Sequence, residues 1–346
     1  MKKIFVTGGA GFLGYHVINY LKDQNWPAQV YDIEAPDPKE YPIGTDFFQN
    51  DVRDYASLKK AMTGADAVIH AAAALPLWSA KDIMTTNVDG TRNTLRAASE
   101  LGISQVIFIS STAVYGIPKK HPLFENDPMV GVGPYGKSKI EAEKICEEYR
   151  SKLCVTVIRP KTFIGPTRLG VFSILYDWVA SGKRIPLIGN GHNLYQLLDV
   201  EDLCAAIFLA LNADKEKANQ TFNIGAKEFR TVREDIGALC EYAKSGARPM
   251  STPAPVVKFF LRIFEILHLS PLYRWIYGTA NKDSYVSTKK LEETLGWQPK
   301  YSNTATLIRS YEWFLAHRTE VEGHSEGVTH RVSWKQGILR LIKKVM

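Results

Sequence analysis

No stretch of about 18 uncharged apolar residues occurs in this chain of 346 residues, so no membrane-spanning helix is expected. Cysteine is scarce. Cys146, Cys154, Cys204 and Cys240 form no CxxC pair and have no histidine nearby at zinc-ligand spacing, which argues against a metal site and suits buried thiols in a reducing cytosol. An export signal is missing too: Met1-Lys2-Lys3 is basic, but Gly8, Gly9 and Gly11 interrupt the apolar segment that a signal peptide needs. No repeat of about 20–50 residues is visible, which excludes a solenoid. Acids are absent from the last sixteen positions, where Arg331, Lys335, Arg340, Lys343 and Lys344 supply +5 of a net charge of +7. The basicity is therefore local. It points to a tail that docks on an anionic surface and away from a body that binds nucleic acid.

What is present is the composition of a globular protein, with 45% hydrophobic and 23% charged residues. At about 150 residues per domain, the length suggests two units. Apolar runs at 3–6, 29–31, 67–70, 105–109 and 155–158 alternate with helix-length segments at 54–62, 87–101 and 135–150. Near-continuous Val, Ile and Phe is what a parallel sheet covered on both faces requires, so the rhythm predicts an α/β fold with a doubly wound parallel sheet. Beyond Pro160 the rhythm loosens, with punctuation at Gly165-Pro166, Gly189-Asn190-Gly191 and Pro253 to Pro255. The expected organisation is a cofactor-binding domain over 1–160 with a return segment near 195–215, and a smaller C-terminal substrate domain over 161–318. A linker and basic amphipathic tail follow over 319–346.

The first strand runs into Thr7-Gly8-Gly9-Ala10-Gly11-Phe12-Leu13-Gly14. A turn that presses backbone against a pyrophosphate needs residues without Cβ, and the helix that follows offers free N–H groups and its positive dipole end. The second strand ends at Asp32, 24 residues past Gly8, where a carboxylate can accept both ribose hydroxyls and repel a 2′-phosphate. No arginine adjoins the glycine loop or Asp32 in sequence, so NAD is favoured over NADP. Further on, Tyr135-Gly-Lys-Ser-Lys139 opens a helix, and the four-residue step puts Tyr135 and Lys139 on one face. An adjacent ammonium is expected to lower the phenol pKa, so that Tyr135 exchanges a proton with a secondary alcohol while hydride moves.

Together the glycine loop and the YxxxK helix resemble the extended short-chain dehydrogenases/reductases, the NAD-dependent epimerase/dehydratase group, over about residues 1 to 315. The resemblance implies a Rossmann-type fold, NAD as cofactor, and a homodimer pairing the helices near 90–101 and 136–150. It implies cofactor contacts at Gly8, Gly11, Phe12, Leu13, Asp32, Asp51, Val52, Ala71, Ala72, Ala73, Asn87 and Pro160, besides Tyr135 and Lys139. Within Ser110-Ser-Thr-Ala-Val-Tyr-Gly116, Ser111 matches the catalytic hydroxyl that orients the substrate oxygen. Arg159-Pro160, Leu198-Asp-Val-Glu-Asp202 and Phe222-Asn-Ile-Gly225 also stand at the family's usual places.

The chain departs from its sugar-nucleotide members at the substrate. Their dehydratases follow the catalytic hydroxyl with Asp-Glu, where this chain has Thr112-Ala113 and so lacks the acid and base that expel water. An Asn and an Arg that serve the nucleotide diphosphate are replaced by Thr162 and Leu194, leaving Lys161, Arg168 or Arg184 to take over part of the phosphate contact. Leu75-Pro-Leu-Trp78 offers an apolar surface where substrate is expected, with Trp78 foremost. Residues 256–269 form an amphipathic helix whose narrow polar stripe holds Lys258, Arg262, Glu265 and His268, read either as domain packing or as a membrane-facing lid. The tail interleaves Trp334, Ile338, Leu339, Leu341 and Ile342 with its cations, which suits an anionic bilayer.

These features predict an NAD-dependent epimerase of a nucleotide-linked or lipid-linked sugar, with Ser111, Tyr135 and Lys139 as the catalytic set. It would be cytoplasmic and peripheral on the inner face of the membrane. The alternative is a dehydrogenase of a hydroxysteroid or other hydroxy-lipid, and a non-catalytic cofactor sensor is a third reading that the intact catalytic set disfavours.

Overall fold

Parallel strands covered on both faces must be apolar at successive positions, and the chain meets this requirement strand after strand. The computed structural model describes residues 2–76, 78–266, 274–319 and 343. Its strands are β1 (Ile4–Thr7), β2 (Ala28–Asp32), β3 (Asp46–Gln49), β4 (Ala67–His70), β5 (Gln105–Ile109), β6 (Cys154–Pro160), β7 (Thr162–Ile164), β8 (Arg184–Ile188), β9 (Leu197–Asp199), β10 (Thr221–Ile224) and β11 (Arg248–Thr252). The helices are α1 (Phe12–Asp23), α2 (Tyr55–Met62), α3 (Ala80–Met84), α4 (Gly90–Glu100), α5 (Gly133–Tyr149), α6 (Val171–Ala180) and α7 (Val200–Asn212). They continue as α8 (Lys215–Ala218), α9 (Val232–Ala243), α10 (Ala254–Ile266), α11 (Arg274–Thr279), α12 (Lys289–Leu295) and α13 (Asn303–Ala316).

Seven strands form one parallel sheet in the order β10-β6-β5-β4-β1-β2-β3. Every residue of β1, β4, β5 and β6 is buried. Successive side chains serve opposite layers. Ile4 and Val6 pack with Ile69, Ile107 and Ile158 against α1 and α7, while Phe5 packs with Val68, Val106 and Phe108 against α2, α4 and α5. Chain order reverses between β1 and β4, which opens a crevice at their carboxyl ends. Beyond β6, the ribbons β7-β9 and β8-β11 join α6, α9 and α13 around a separate core that includes Ile164, Tyr176, Trp178, Leu239 and Phe314.

Two strands of the main sheet lie outside the expected runs. β3 reads Asp-Phe-Phe-Gln with both ends exposed, the pattern of an edge strand, which alternation alone does not reveal. β10 lies past the anticipated return over 195–215, so the sheet also draws on Thr221–Ile224. Of the amphipathic segment at 256–269, α10 accounts for the part up to Ile266, and 267–269 lie outside the described residues. Lys258 turns inward, its Nζ 2.9 Å from Gly278 O and 2.6 Å from Asn281 Oδ1, while Val256, Phe259 and Phe260 are exposed. Of the basic tail only Lys343 is described. Its Nζ meets the Asp177 carboxylate of α6 at 2.5 Å, beside Arg318 at 2.9 Å. Trp334 and the other apolar tail residues lie outside the described residues. Among those described, no helix is long and apolar enough to cross a membrane.

Beneath the crevice a buried polar network ties the layers together. The Arg159 guanidinium on β6 grips Glu143 of α5, with Nη2 at 2.5 Å and Nε at 2.9 Å from the carboxylate, and Ser110 donates to the same carboxylate. Arg159 Nη1 also donates to the Tyr115 hydroxyl at 2.7 Å, which donates in turn to Asn223 Oδ1 on β10 at 2.8 Å. Both members of the ion pair have side chains only 5% exposed, so removing one strands the other charge away from water. Glu143→Ala should therefore lower unfolding free energy by about 3–5 kcal/mol, and Glu143→Gln by less. Denaturant titration measures this, and a loss below about 1 kcal/mol for the alanine variant would show that Arg159 finds another partner.

Candidate active site

The turn after β1 can be built only with glycine. Gly8 sits at φ 72°, and a Cβ there would stand 2.6 Å from the Ala72 amide nitrogen; one on Gly14 would stand 2.3 Å from Gly8 O. The backbone of the loop thus lies directly on the Ala71–Ala73 segment that follows β4. Helix α1 then begins behind Gly11, which offers no side-chain cap, and its first turn holds no acid. Its free N–H groups and positive dipole end are left for an anion in the crevice. At the end of β2, Asp32 accepts from the amides of Ala10 at 2.9 Å and Glu34 at 3.1 Å. Burial raises its pKa, and those amides oppose the rise by favouring the carboxylate.

Across the crevice, Ser111 follows the strand end of β5, and Tyr135 stands in the first turn of α5. The Ser111 hydroxyl accepts from the Ala113 amide at 3.1 Å and faces the same cavity as the Tyr135 phenol. One turn on, Lys139 is buried, its Nζ donating to Ile109 O at 2.9 Å and lying 6.0 Å from the centre of the Tyr135 ring. Here the expected electrostatics are reversed. The surrounding walls desolvate the phenol and push its pKa up to about 12, against the pull of the Ser111 hydroxyl and the Arg168 guanidinium. The same desolvation brings the Lys139 ammonium down to about 8. Lys139 is too far from the ring to outweigh burial. What it shares with Tyr135 is a helix face, as the four-residue step requires.

One cavity of about 640 Å³ runs from the glycine loop past Tyr135 to the second core. Gly8, Gly11, Phe12, Leu13, Asp32, Asp51, Val52, Ala71, Ala72, Ala73, Pro160, Ser111, Tyr135 and Lys139 all line it, as do Trp78, Thr112 and Thr162. Asn87 and Leu194 do not. Asn87 is buried behind the wall, where Oδ1 accepts from Ala74 N at 2.8 Å and Nδ2 donates to Ser138 Oγ at 2.9 Å. It therefore locks the post-β4 segment to α5 and touches no cavity surface. Leu194 pairs its amide with Asp283 Oδ1, and the next residue, Tyr195, reaches the cavity, its hydroxyl 3.2 Å from Thr162 Oγ1. The far half is walled by Val171, Phe172 and Leu175 of α6, Ile185 and Leu187 of β8, and Ile236 of α9.

Sequence reasoning passed over Arg53, which also lines the cavity. Its guanidinium is held by Asp51 at 2.6 Å and Asp82 at 3.3 Å, so its charge is already matched by carboxylates. The Arg53–Asp51 spacing of two residues was the available signal.

A glycine cradle closed to any Cβ, an uncapped helix N-terminus and a carboxylate at the second strand end fit a dinucleotide lying across the sheet's point of reversal. The family model of the NAD dependent epimerase/dehydratase family matches residues 4–225. The chain belongs to this family. An uncharacterized protein of Sinorhizobium fredii, y4nG, is 34% identical, covering 99% of this chain and 86% of its own. The N-acetyl-alpha-D-glucosaminyl-diphospho-ditrans,octacis-undecaprenol 4-epimerase of Escherichia coli O157:H7 is 26% identical, covering 91% of this chain and 96% of its own. In fold, the UDP-glucose 4-epimerase of Thermotoga maritima, solved with UDP-glucose, superposes with a TM-score of 0.76 at 24% identity, over 91% of this chain and 99% of that one. The family member described here is an NAD-dependent enzyme of the extended short-chain type.

If the Asp32 carboxylate sets cofactor choice, Asp32→Ala should narrow the preference for NAD over NADP by about tenfold or more, the scale of one charge-assisted contact. Calorimetric titration with both cofactors reads this directly. Tighter NADP binding by the unmutated protein would overturn the assignment.

Proposed function

We propose that this protein epimerises a nucleotide-linked or lipid-linked sugar by reversible hydride transfer at a secondary alcohol. The observation that carries the reading is that Ser111 and Tyr135 line one cavity together with the glycine cradle and the apolar half walled by α6, β8 and α9. NAD, when bound, supplies the hydride acceptor. Gly8, Gly11, Phe12 and Leu13 would hold its pyrophosphate, Asp32 its ribose hydroxyls, and Asp51 and Val52 its adenine. The Ala71–Ala73 wall and Pro160 would flank it, with Lys139 on the second ribose.

Tyr135 is the acid/base. As tyrosinate it takes the proton of the sugar hydroxyl while the alcohol gives up its hydride, and it becomes the neutral phenol that burial favours. Ser111 donates to the same sugar oxygen and fixes which carbon is presented. The resulting keto-sugar turns its other face, takes the hydride back, and recovers the proton from Tyr135. Thr112 and Ala113 provide no carboxylate to expel a hydroxyl, which disfavours dehydration. An epimerase consumes no NAD overall, whereas the rival hydroxy-lipid dehydrogenase, suited by the apolar walls of α6 and β8, accumulates one NADH for each product. Absorbance of NADH during turnover separates them, and stoichiometric accumulation would sink the epimerase reading.

Tyr135→Phe keeps the ring and deletes the exchangeable proton. Turnover should fall by about 10² to 10⁴ while NAD affinity stays near that of the wild type, and a variant retaining more than about a tenth of the rate would remove Tyr135 from this role.

Membrane attachment is the companion reading, favoured by exposed Val256, Phe259 and Phe260 on α10. With the basic tail, that face suits an anionic leaflet, where each cation contributes about 1 kcal/mol. Co-sedimentation with anionic vesicles should fall as salt rises and fall again when Phe259 and Phe260 become serine. A protein that stays in the supernatant at low salt would end this reading.

A further inference from the structure

Lys161 follows directly on β6 and opens into the cavity that holds Tyr135, yet it takes no part in the proton transfer above. It is 5% exposed. Its Nζ donates to Ser284 Oγ at 2.6 Å, and the ammonium stands 5.2 Å from the centre of the Tyr195 ring. Among the described residues no carboxylate offsets its charge, and burial alone holds its pKa down at about 7. Arg159 and Arg309 are matched by the acids Glu143 and Asp199, whereas Lys139 donates to the Ile109 carbonyl and Lys258 to Gly278 O and Asn281 Oδ1. An ammonium has three N–H donors, and one serine hydroxyl does not compensate a desolvated charge.

The lysine also lies close to the reacting end. Thr112 Oγ1 donates to Pro160 O at 3.2 Å, which sets the residue before Lys161 against the residue after Ser111. Its other neighbour, Thr162, contacts the Tyr195 hydroxyl, so Lys161 stands where the catalytic end meets the apolar half.

We propose that Lys161 receives an anionic oxygen group of the substrate, either a carboxylate on the sugar ring or a phosphate joined to it. The assignment rests on the epimerase reading for the ring itself. An incoming anion supplies the counter-charge that the wall lacks and restores the ammonium to its charged form.

The test is calorimetric titration of the NAD-loaded full-length protein with UDP-glucose, UDP-glucuronate and farnesyl diphosphate, in wild type, Lys161→Met and Lys161→Arg. At least one probe should bind the wild type, lose affinity by about tenfold or more in the methionine variant, and regain part of it in the arginine variant. A loss confined to UDP-glucuronate identifies the carboxylate as the source. Equal losses for both UDP-sugars identify the phosphate, and a loss confined to farnesyl diphosphate identifies a lipid diphosphate. Lys161→Met without ligand should melt no lower than wild type, because it removes a buried charge that has no counter-ion. Unchanged affinity in that variant for every probe that binds, or failure of all three to bind the wild type, overturns the proposal. Binding here needs no turnover. A protein that binds a UDP-sugar through Lys161 but inverts none would refute the epimerase reading and leave this assignment standing.

Discussion

The buried ion pair between Glu143 and Arg159 is the constraint from which the catalytic end hangs. Glu143 lies one turn beyond Lys139 on α5, and Arg159 lies just before Pro160 and Lys161 on β6. Through Ser110 the same carboxylate holds the residue that precedes Ser111, and through Tyr115 and Asn223 the guanidinium reaches β10. A hydrophobic contact would let these elements slide, whereas a multidentate pair in a water-free interior has one satisfactory geometry. The cavity wall is thus braced from beneath by a pair of buried charges that do not line the cavity.

Burial sets the chemistry of the groups above that pair. Tyr135, Lys139 and Lys161 are each shifted toward their neutral forms by desolvation as the first cause, and the three face one cavity. A protonated phenol and lysines with lowered pKa are held in a low-dielectric wall, where a charge brought by a ligand acts strongly. This inverts the simple picture of an ammonium acidifying a neighbouring tyrosine. Proximity along a helix face is not proximity of charge, and at 6.0 Å from the ring Lys139 contributes less than the walls do.

Much of the fold was legible because its causes are local. The runs at 67–70 and 105–109 coincide with β4 and β5, since parallel strands covered on both faces are apolar throughout. The glycine loop and Asp32 were equally plain, because a strand, a Cβ-free turn and a helix start are consecutive in sequence. Less legible were β3, whose polar ends mark an edge, and β10, which joins the sheet from within the second half of the chain.

By itself, then, the sequence determined the parallel sheet, the glycine turn after β1, the carboxylate at the end of β2 and the Tyr135–Lys139 helix face, all of which arise from neighbours within a few residues. Only the tertiary structure decided that Asn87 braces the wall from behind, that Tyr195 and not Leu194 enters the cavity, and that Arg53 is held by Asp51 and Asp82. It also decided that Lys161 stands buried with Ser284 as its hydrogen-bond partner. Residues 123 positions apart meet there. Desolvation and counter-charge depend on what packs around a group, and that is settled by the assembly of distant segments and not by spacing along the chain.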